Sequence, residues 1–208
     1  MARRFYTSDF HLGMTDILRF EGRPFKTIEK HDAALLRSCR ERAKPGDVII
    51  HVGDLYSFGS DRGNAGSKEK PVDVISQIPA MFVNVRGNHD ANNRVKSLCE
   101  SMTVQLGKRY PDVVVGHYPS YDRRSVYARR GWIQLCGHVH GKWKHCLDLD
   151  RQVLNVNVGV DAWRYMIVPE DDVAAYLNML LEHKPDELYR CKRVDGRLEF
   201  RGDPKNLW

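Results

Sequence analysis

Five apolar runs along the chain are each closely followed by Asp, Asn or His. Their Val, Ile, Phe and Tyr content is typical of buried strands. The runs cover residues 4–7, 48–52, 81–85, 113–115 and 132–136. The polar motifs after them are Asp9-Phe10-His11, Gly53-Asp54, Gly87-Asn88-His89-Asp90, Gly116-His117 and Gly137-His138-Val139-His140. Because the carboxyl ends of strands lie along one edge of a sheet in layered α/β folds, we expect these motifs to converge.

Helix-like segments lie between the predicted strands. Apolar positions at helical spacing predict helices over residues 31–42, 72–78 and 93–102. A strand over 153–158 and a helix over 171–182 follow. The alternation of strands and helices favours the α/β fold class, in which helices cover the faces of a central sheet.

Length and composition indicate a single domain. The chain has 208 residues and no charge run or low-complexity tract that would divide it. Residues 171–208 are predicted to be a C-terminal extension of one helix and one hairpin, with Asp195-Gly196 as the hairpin turn. Five cysteines without a CxxC pair, and an amino terminus without a leader-like apolar stretch, predict free thiols and a cytoplasmic location. The sequence lacks an apolar stretch of about 18 residues, so membrane insertion is not expected.

The chain carries a formal charge of +6. Part of the excess gathers at residues 123–124, 129–130 and 142–144, around the last two motifs. A positive field there would attract ligands that bear phosphate. The alternative is that these side chains form ordinary solvated surface.

The motifs together supply two carboxylates, one amide oxygen and four imidazoles as candidate metal ligands. These are Asp9, His11, Asp54, Asn88, His117, His138 and His140. The set exceeds what one four-coordinate zinc uses and suits two divalent cations that share a ligand. Mixed oxygen and nitrogen ligands favour Mn, with Fe, Ni, Co and Zn as alternatives, over Mg or Ca. Two such ions activate water and clamp phosphoryl oxygens, so the expected reaction is phosphoester hydrolysis.

Local geometry in the motifs supports a shared site. In an extended segment alternate side chains share a face, so Asp9 and His11 are expected to point at one ion, as are His138 and His140. Glycines before four of the motif residues allow tight turns where the backbone must come close to the site.

The five blocks, in this order, resemble the DxH, GD, GNH(D/E), GH and GHxH pattern of the calcineurin-like metallophosphoesterase superfamily, and the likeness covers about residues 3–160. GNHD and GHVH are its most specific blocks. The resemblance implies a four-layer α/β/β/α sandwich with two mixed central sheets flanked by helices. It also implies two divalent metal ions at the strand ends and a compact member of the bacterial or phage type.

The resemblance also implies a role for each motif residue. The ligands it implies are Asp9, His11 and His140 for the first metal, Asp54 as the bridge, and Asn88, His117 and His138 for the second metal. His89 would stand beside the phosphate and donate a proton or hydrogen bond to the leaving oxygen. Asp90 would fix the tautomer of His89.

One departure from the superfamily pattern concerns the substrate. Members that act on phosphoproteins carry an Arg in a GDxxDRG run, which is missing after Gly53-Asp54, and Arg62 comes several residues later. Phosphoproteins are therefore disfavoured. The predicted substrates are phosphodiesters of nucleotides, cyclic nucleotides or nucleic-acid ends, with monoesters of small metabolites or nucleotides as the alternative and a non-catalytic scaffold of the same fold as a less favoured one. Binding of nucleic acid, and the oligomeric state, stay open.

Residues 155–163 form a last predicted strand and turn. Its end could return to the rim of the site and place Asp161 and Trp163 beside the substrate. The alternative is that Trp163 is buried and closes the second sheet.

Overall fold

The computed structural model describes residues 2–57, 71–93, 95–125 and 133–205. Two β-sheets form its centre. The strands are β1 (Arg4–Thr7), β2 (Val48–His51), β3 (Met81–Asn84), β4 (Ser101–Leu106), β5 (Tyr110–Gly116), β6 (Ile133–Cys136), β7 (His145–Asp148), β8 (Val153–Asn157), β9 (Val168–Pro169), β10 (Arg190–Val194) and β11 (Arg197–Arg201). The helices are α1 (Asp16–Phe20), α2 (Ile28–Arg42), α3 (Pro71–Ile75) and α4 (Glu170–Leu181), and Val160–Ala162 forms one turn of 3₁₀ helix.

The first sheet has four strands in the order β3-β2-β1-β9, and the second has seven in the order β11-β10-β7-β8-β6-β5-β4. Strands β1, β2 and β3 are parallel, and β9 is antiparallel to β1. In the second sheet, β6 pairs in parallel with both β5 and β8, whereas β4 and β7 pair with their neighbours β5 and β8 in antiparallel fashion. Both sheets are therefore mixed, and the predicted α/β class with two sheets flanked by helices is confirmed.

The main core lies between the two sheets. Tyr6 and Ile50 of the first sheet belong to the same buried cluster as Val115, Leu135 and Val156 of the second. Helix α4 contributes to this cluster as well, through Val173, Leu177 and Leu180. Since these side chains lie inward on both sheets, the cluster fixes how the sheets stack.

A second cluster covers the outer face of the first sheet. Phe5 and Ile49 pack there against Leu35 and Cys39 of α2 and Val74 of α3. On the outer face of the second sheet, a third cluster joins Cys136, Trp143, Cys146 and Cys191. All five cysteines of the chain are free thiols.

Most predicted elements are found close to their expected bounds. Helix α2 begins three residues earlier than predicted because the Thr27 side chain accepts a hydrogen bond from the Lys30 amide and caps the helix. The predicted helix over 93–102 is wrong: Ser101–Leu106 is strand β4, paired along β5. The buried side chains Val104 and Leu106 recur every second residue, which is the strand period. Within the ranges that the structure describes, no helix has both the length and the apolar composition to cross a bilayer.

The two sheets come into direct contact where β1 and β6 end. A β-bridge joins Ser8 to Gly159, and the Asp9 amide donates to the carbonyl of Gly53 across the first sheet. Gly137 follows β6 and lies against the same segment: a Cβ at Gly137 would overlap Ser8 Oγ and lie 2.6 Å from Asp9 Oδ2. This contact brings motifs from both sheets to one edge.

The Gly137→Ala variant tests this contact. The added methyl group must displace Ser8 and Asp9, so we expect the free energy of unfolding to fall by about 1–3 kcal/mol, measured by urea denaturation of metal-free protein. Gly116→Ala is the matched control, because its nearest neighbour would be 3.5 Å from the new Cβ, an ordinary contact distance. Equal stability of the two variants would show that the sheets do not meet as described.

Candidate metal centre

Three overlapping groups of metal-ligating side chains lie where the strands end. In each group the ligand atoms are within 4.8 Å of one another. The groups are Asp9, His11 and His140; His11, Asp54 and His89; and Asp54, His117 and His138. His11 and Asp54 each belong to two groups, so the three groups form one continuous site. Asn88 joins it, because its Oδ1 lies 3.1 Å from Nε2 of His117. All the sequence-predicted ligands, and His89, are thus brought together.

Asp54 lies at the centre of the site. Its Oδ2 is 3.6 Å from His11 Nε2 and 3.3 Å from His117 Nε2. Its other oxygen, Oδ1, accepts a hydrogen bond of 2.8 Å from the backbone amide of His89. One carboxylate oxygen therefore faces an imidazole on each side, while the second oxygen holds the carboxylate in place.

Five of the candidate ligands have backbone φ angles between 49° and 70°, in the left-handed region. They are Asp9, His11, Asp54, His138 and His140. This differs from the expectation that the pairs would share a face because their segments are extended. The chain turns sharply at these residues instead, and the turns direct the side chains to the site. Each such conformation costs on the order of 1–3 kcal/mol and is typical of functional sites.

His11 has an unmet hydrogen-bonding capacity. Its side chain is only 2% exposed, and neither ring nitrogen has a hydrogen-bond partner. Burial holds the pKa of His11 well below its ordinary value, with the neighbouring His140 and Arg23 acting in the same direction, so the ring is neutral and offers a lone pair. A buried imidazole without a partner costs free energy, which a cation bound to one nitrogen would recover. The residues present therefore fit a metal ion.

Asp54 and His117 form a buried ion pair. Burial by itself would lower the pKa of His117, but the hydrogen bond to Asp54 and the Asp54 charge outweigh it and raise this pKa to about 9. Burial likewise opposes ionisation of Asp54, yet His117 and His11 hold the pKa of Asp54 well below its usual range. His117 Nδ1 donates to the carbonyl of Val52 at 2.8 Å, which leaves Nε2 facing the site.

The position of Asp90 differs from the expected one. Its carboxylate, completely buried, accepts hydrogen bonds from the backbone amides of Asp54, Leu55 and Gly87 at 3.1, 2.9 and 2.8 Å and from the Asn84 side chain at 3.2 Å. Among the residues that the structure describes, no donor to this carboxylate comes from the His89 ring. Asp90 thus ties the second motif to the third and orients His89 only through the backbone.

Comparison with known proteins fits this arrangement. A family model described as the calcineurin-like phosphoesterase superfamily domain matches residues 5–169, the span that contains every candidate ligand of this site. The chain belongs to this superfamily. Membership supports a phosphoester hydrolase that binds divalent metals.

Individual relatives are distant. An uncharacterized protein of Methanocaldococcus jannaschii is 23% identical over 90 residues, which make up 43% of this chain and 48% of that protein. The chain thus matches about half the length of this curated relative. Among solved structures, a protein of unknown function from Aquifex aeolicus has a TM-score of 0.62 at 19% identity, over 84% of this chain and 99% of that one. The Pseudomonas putida nuclease MPE has a TM-score of 0.41 at 16% identity, over 80% and 86%. The Aquifex likeness shows the fold alone.

A buried arginine, Arg23, contacts the candidate metal centre, and the sequence motifs do not predict it. Both guanidinium edges of Arg23 are used: Nε and Nη2 donate to the two oxygens of Asp161 at 2.9 and 2.7 Å, and Nη1 and Nη2 donate to the carbonyls of Phe10 and Asp9. His31 Nε2 accepts a further hydrogen bond of 2.8 Å from Nη1. A lone arginine in a loop gives no periodic or motif signal, so the sequence offers no means of finding it.

Asp161 is placed by Arg23 and in turn orients a candidate ligand. Its Oδ2 lies 3.3 Å from Nδ1 of His140. The hydrogen bond fixes the tautomer of His140 with the proton on Nδ1, so Nε2 is available to a cation. This resolves one alternative left open by the sequence: Asp161 does return to the site, as a positioning residue.

Trp163, unlike Asp161, does not lie at the candidate metal centre. The indole of Trp163 packs on Tyr176, donates to the carbonyl of Asn157 and lies 3.7 Å from the Lys144 ammonium. Trp163 is therefore partly buried and packs against the main core, which is closer to the second alternative than to a place beside the substrate. Arg62, and the arginines at 129 and 130, lie outside the described residues.

The Asp161→Asn variant tests the positioning role. Loss of the carboxylate weakens control of the His140 tautomer, and we expect the affinity for Mn²⁺ to fall by about 10- to 100-fold, measured by titration calorimetry. Asp171→Asn, on the exposed side of α4, is the control and should leave the affinity unchanged. If both variants bind Mn²⁺ as well as the parent protein, Asp161 does not act through His140.

Metal binding should also be coupled to proton release. Below pH 9 the His117 ring is protonated on both nitrogens, and Nε2 must lose its proton before a cation binds there. The affinity for Mn²⁺ should therefore rise with pH up to about 9 and fall as the pH is lowered. Calorimetry at pH 7.5 in two buffers of different ionisation enthalpy measures the protons released. The His117→Asn variant should release fewer, and an unchanged number would contradict the assignment.

Proposed function

We propose that this chain is a dinuclear metal-dependent phosphoesterase that hydrolyses phosphodiester bonds. The observation that carries the proposal is the sharing of His11 and Asp54 among three ligand groups. A mononuclear site needs three or four ligands, whereas this edge of the molecule offers seven candidate ligands, which is enough for two cations. Mn²⁺ is the metal we expect, because the donors are oxygen and imidazole nitrogen without thiolate.

The ligand assignment follows from the distances. Asp54 Oδ2 lies between imidazole nitrogens of His11 and His117, which supports Asp54 as the bridging ligand. The remaining donors divide into Asp9, His11 and His140 on one side and Asn88, His117 and His138 on the other. When bound, divalent cations would activate water for attack on phosphorus and neutralise the phosphoryl oxygens. The protein's part is to hold these donors at fixed positions, through backbone amides on Asp9 and Asp54.

His89 is the proposed proton donor to the leaving oxygen. Its ring lies 4.9 Å from the His11 ring in an edge-to-face contact, and it is partly exposed at the rim, where a substrate would enter. Its backbone amide is fixed by Asp54. The neighbouring Asp90 holds the turn that carries His89, so its contribution is to placement and not to the proton transfer itself.

Nucleotides, cyclic nucleotides and nucleic-acid ends are the proposed substrate class. The positive formal charge of the chain would steer polyanions toward the site. The described segment after Gly53-Asp54 begins with Leu55, Tyr56 and Ser57, all buried, and so offers no arginine of the kind used on phosphoproteins.

The test is hydrolysis by protein reconstituted with Mn²⁺, Ni²⁺ or Zn²⁺. We expect bis-p-nitrophenyl phosphate to be hydrolysed in preference to p-nitrophenyl phosphate, followed by a panel of cyclic nucleotides. Asp54→Ala should abolish activity, and the metal content after reconstitution should fall. His89→Ala should reduce kcat by about 10²- to 10⁴-fold for esters with poor leaving groups, and less for the nitrophenyl esters, because a good leaving group needs no proton.

His183→Ala is the matched control, since that histidine lies beyond α4 and, among the described residues, its side chain hydrogen-bonds the carbonyl of Met179. A preference for the monoester would favour the phosphomonoesterase alternative. Full activity of Asp54→Ala after chelation and metal replacement would refute the bridging assignment. If no ester is hydrolysed with any of the three metals, the proposed phosphoesterase activity is refuted, and the non-catalytic scaffold is the alternative that the result favours.

A further inference from the structure

Among the residues that the structure describes, Arg124 reaches the candidate metal centre from the solvent side. It follows strand β5 in the loop that carries the ligand His117, and 54% of its side chain is exposed. Its Nη2 lies 3.0 Å from Nε2 of His138, one of the candidate ligand atoms. None of the motifs accounts for this residue.

The guanidinium is held from two directions. Asp122 accepts hydrogen bonds from Nε at 3.0 Å and Nη2 at 2.7 Å, and it also accepts one from the Arg124 backbone amide at 2.9 Å. The ring of Tyr118 lies under the guanidinium, with Cζ 4.1 Å from the ring centroid. Tyr118 in turn packs edge-on against the rings of His117 and His138 at 5.1 and 4.8 Å. Arg124 is therefore fixed relative to the metal ligands before any substrate arrives.

The contact between Arg124 and His138 indicates which ligand the guanidinium would bind. Nη2 donates to Nε2, the nitrogen that a cation would need. Two cationic groups cannot share one lone pair, so a cation on His138 ends this hydrogen bond. An N–H group is then left at the mouth of the site, still tethered by Asp122. The acceptor that suits a guanidinium beside a metal centre is an anionic phosphoryl oxygen.

Arg23, a second arginine of the described segments that lies near the site, is not available for this task. Arg23 has no exposed side-chain surface, and its donors are taken by Asp161, His31 and two carbonyls. Arg123, next to Arg124, is exposed, and among the described residues it forms no hydrogen bond or ion pair. Position and tethering therefore distinguish Arg124 from its neighbour of the same charge.

We propose that Arg124 binds a non-bridging phosphoryl oxygen of the substrate and so sets the affinity for the phosphate group. The inference rests on the proposed function, since it names a contact of the same site. It also gives the chain a phosphate-binding arginine from the loop after the fourth motif, in place of the missing one after the second.

The test compares Arg124→Gln with Arg123→Gln in the Mn²⁺-loaded protein. For Arg124→Gln we expect the KM for bis-p-nitrophenyl phosphate, and the inhibition constant of inorganic phosphate, to rise by about 10- to 100-fold, the loss expected for one hydrogen bond between charged partners. The effect on kcat should be smaller. Arg124→Lys should restore part of the affinity, because it keeps the charge and loses the planar fork. Arg123→Gln should match the parent protein in all of these constants.

A direct readout separates this inference from the proposed function. Inorganic phosphate is titrated calorimetrically into Mn²⁺-loaded protein, which needs no hydrolysis, and Mn²⁺ affinity is measured in the same variants. We expect Arg124→Gln to bind Mn²⁺ at least as tightly as the parent and phosphate more weakly. If phosphate affinity in Arg124→Gln equals that in Arg123→Gln, the inference is refuted even though the esters are hydrolysed. If only the Mn²⁺ affinity rises, Arg124 is a competitor of the cation and not a phosphate ligand.

Discussion

The hydrogen bonds between the carboxylates of one motif and the backbone amides of another are the constraint on which the site depends. Asp9 accepts both of its bonds from the amide of His138, 129 residues away, at 3.0 and 3.1 Å. Asp54 accepts from the amide of His89, and Asp90 accepts from the amides of Asp54 and Leu55. Each bond joins two strand ends, so the first and fifth motifs cannot shift independently of each other, and neither can the second and third. A backbone donor also cannot change rotamer, which makes these carboxylates more rigid than side-chain partners would.

Such close packing limits the residues that the turns accept. A Cβ on Gly87 would overlap Asp54 Oδ1, and one on Gly53, whose φ is +90°, would lie 2.6 Å from His117 Nδ1. Gly116 differs, because its surroundings leave room for a methyl group. The glycines before Asp54 and Asn88 are thus required by the approach of backbone to ligand, whereas the glycine before His117 is not.

The same edge holds several unfavourable features at once. The ligands in the left-handed region, the unpartnered nitrogens of His11 and the buried Asp54–His117 pair each raise the free energy of the folded state. Two sheets with a continuous apolar core between them compensate for this cost. A bound cation would recover part of it, and metal binding is therefore expected to stabilise the fold as well as to supply the chemistry.

The sequence predicts the candidate ligands at the strand ends well, but it predicts poorly the residues that hold them in place. Apolar runs ending in Asp, Asn or His are local signals, and β1, β2 and β6 and the ligands after them lie where those signals place them. Helix 93–102 fails because the pairing of β4 with β5, a contact made by tertiary structure, overrides a weak local pattern. The link between Arg23 and Asp161 spans 138 residues and joins a loop to the 3₁₀ turn at Val160–Ala162, where no spacing rule applies. For the same reason the charge cluster at 123–124 is visible in the sequence, but the difference between its two arginines is not.

The net charge of the candidate ligands and of the ion pairs around them bears on the proposed chemistry. Of the candidate ligands only Asp9 and Asp54 carry negative charge, since Asn88 is neutral and imidazoles bind metals in their neutral form. Two divalent cations held by this set would exceed the ligand charge by two. One singly charged phosphodiester together with one hydroxide would balance this excess. The paired groups around them do not alter this balance, because Arg23 is neutralised by Asp161 and Arg124 by Asp122. Arg124 can therefore add direction and a short-range charged hydrogen bond at the rim, which is its proposed contribution to phosphate affinity, while the longer-range attraction would come from the metal centre.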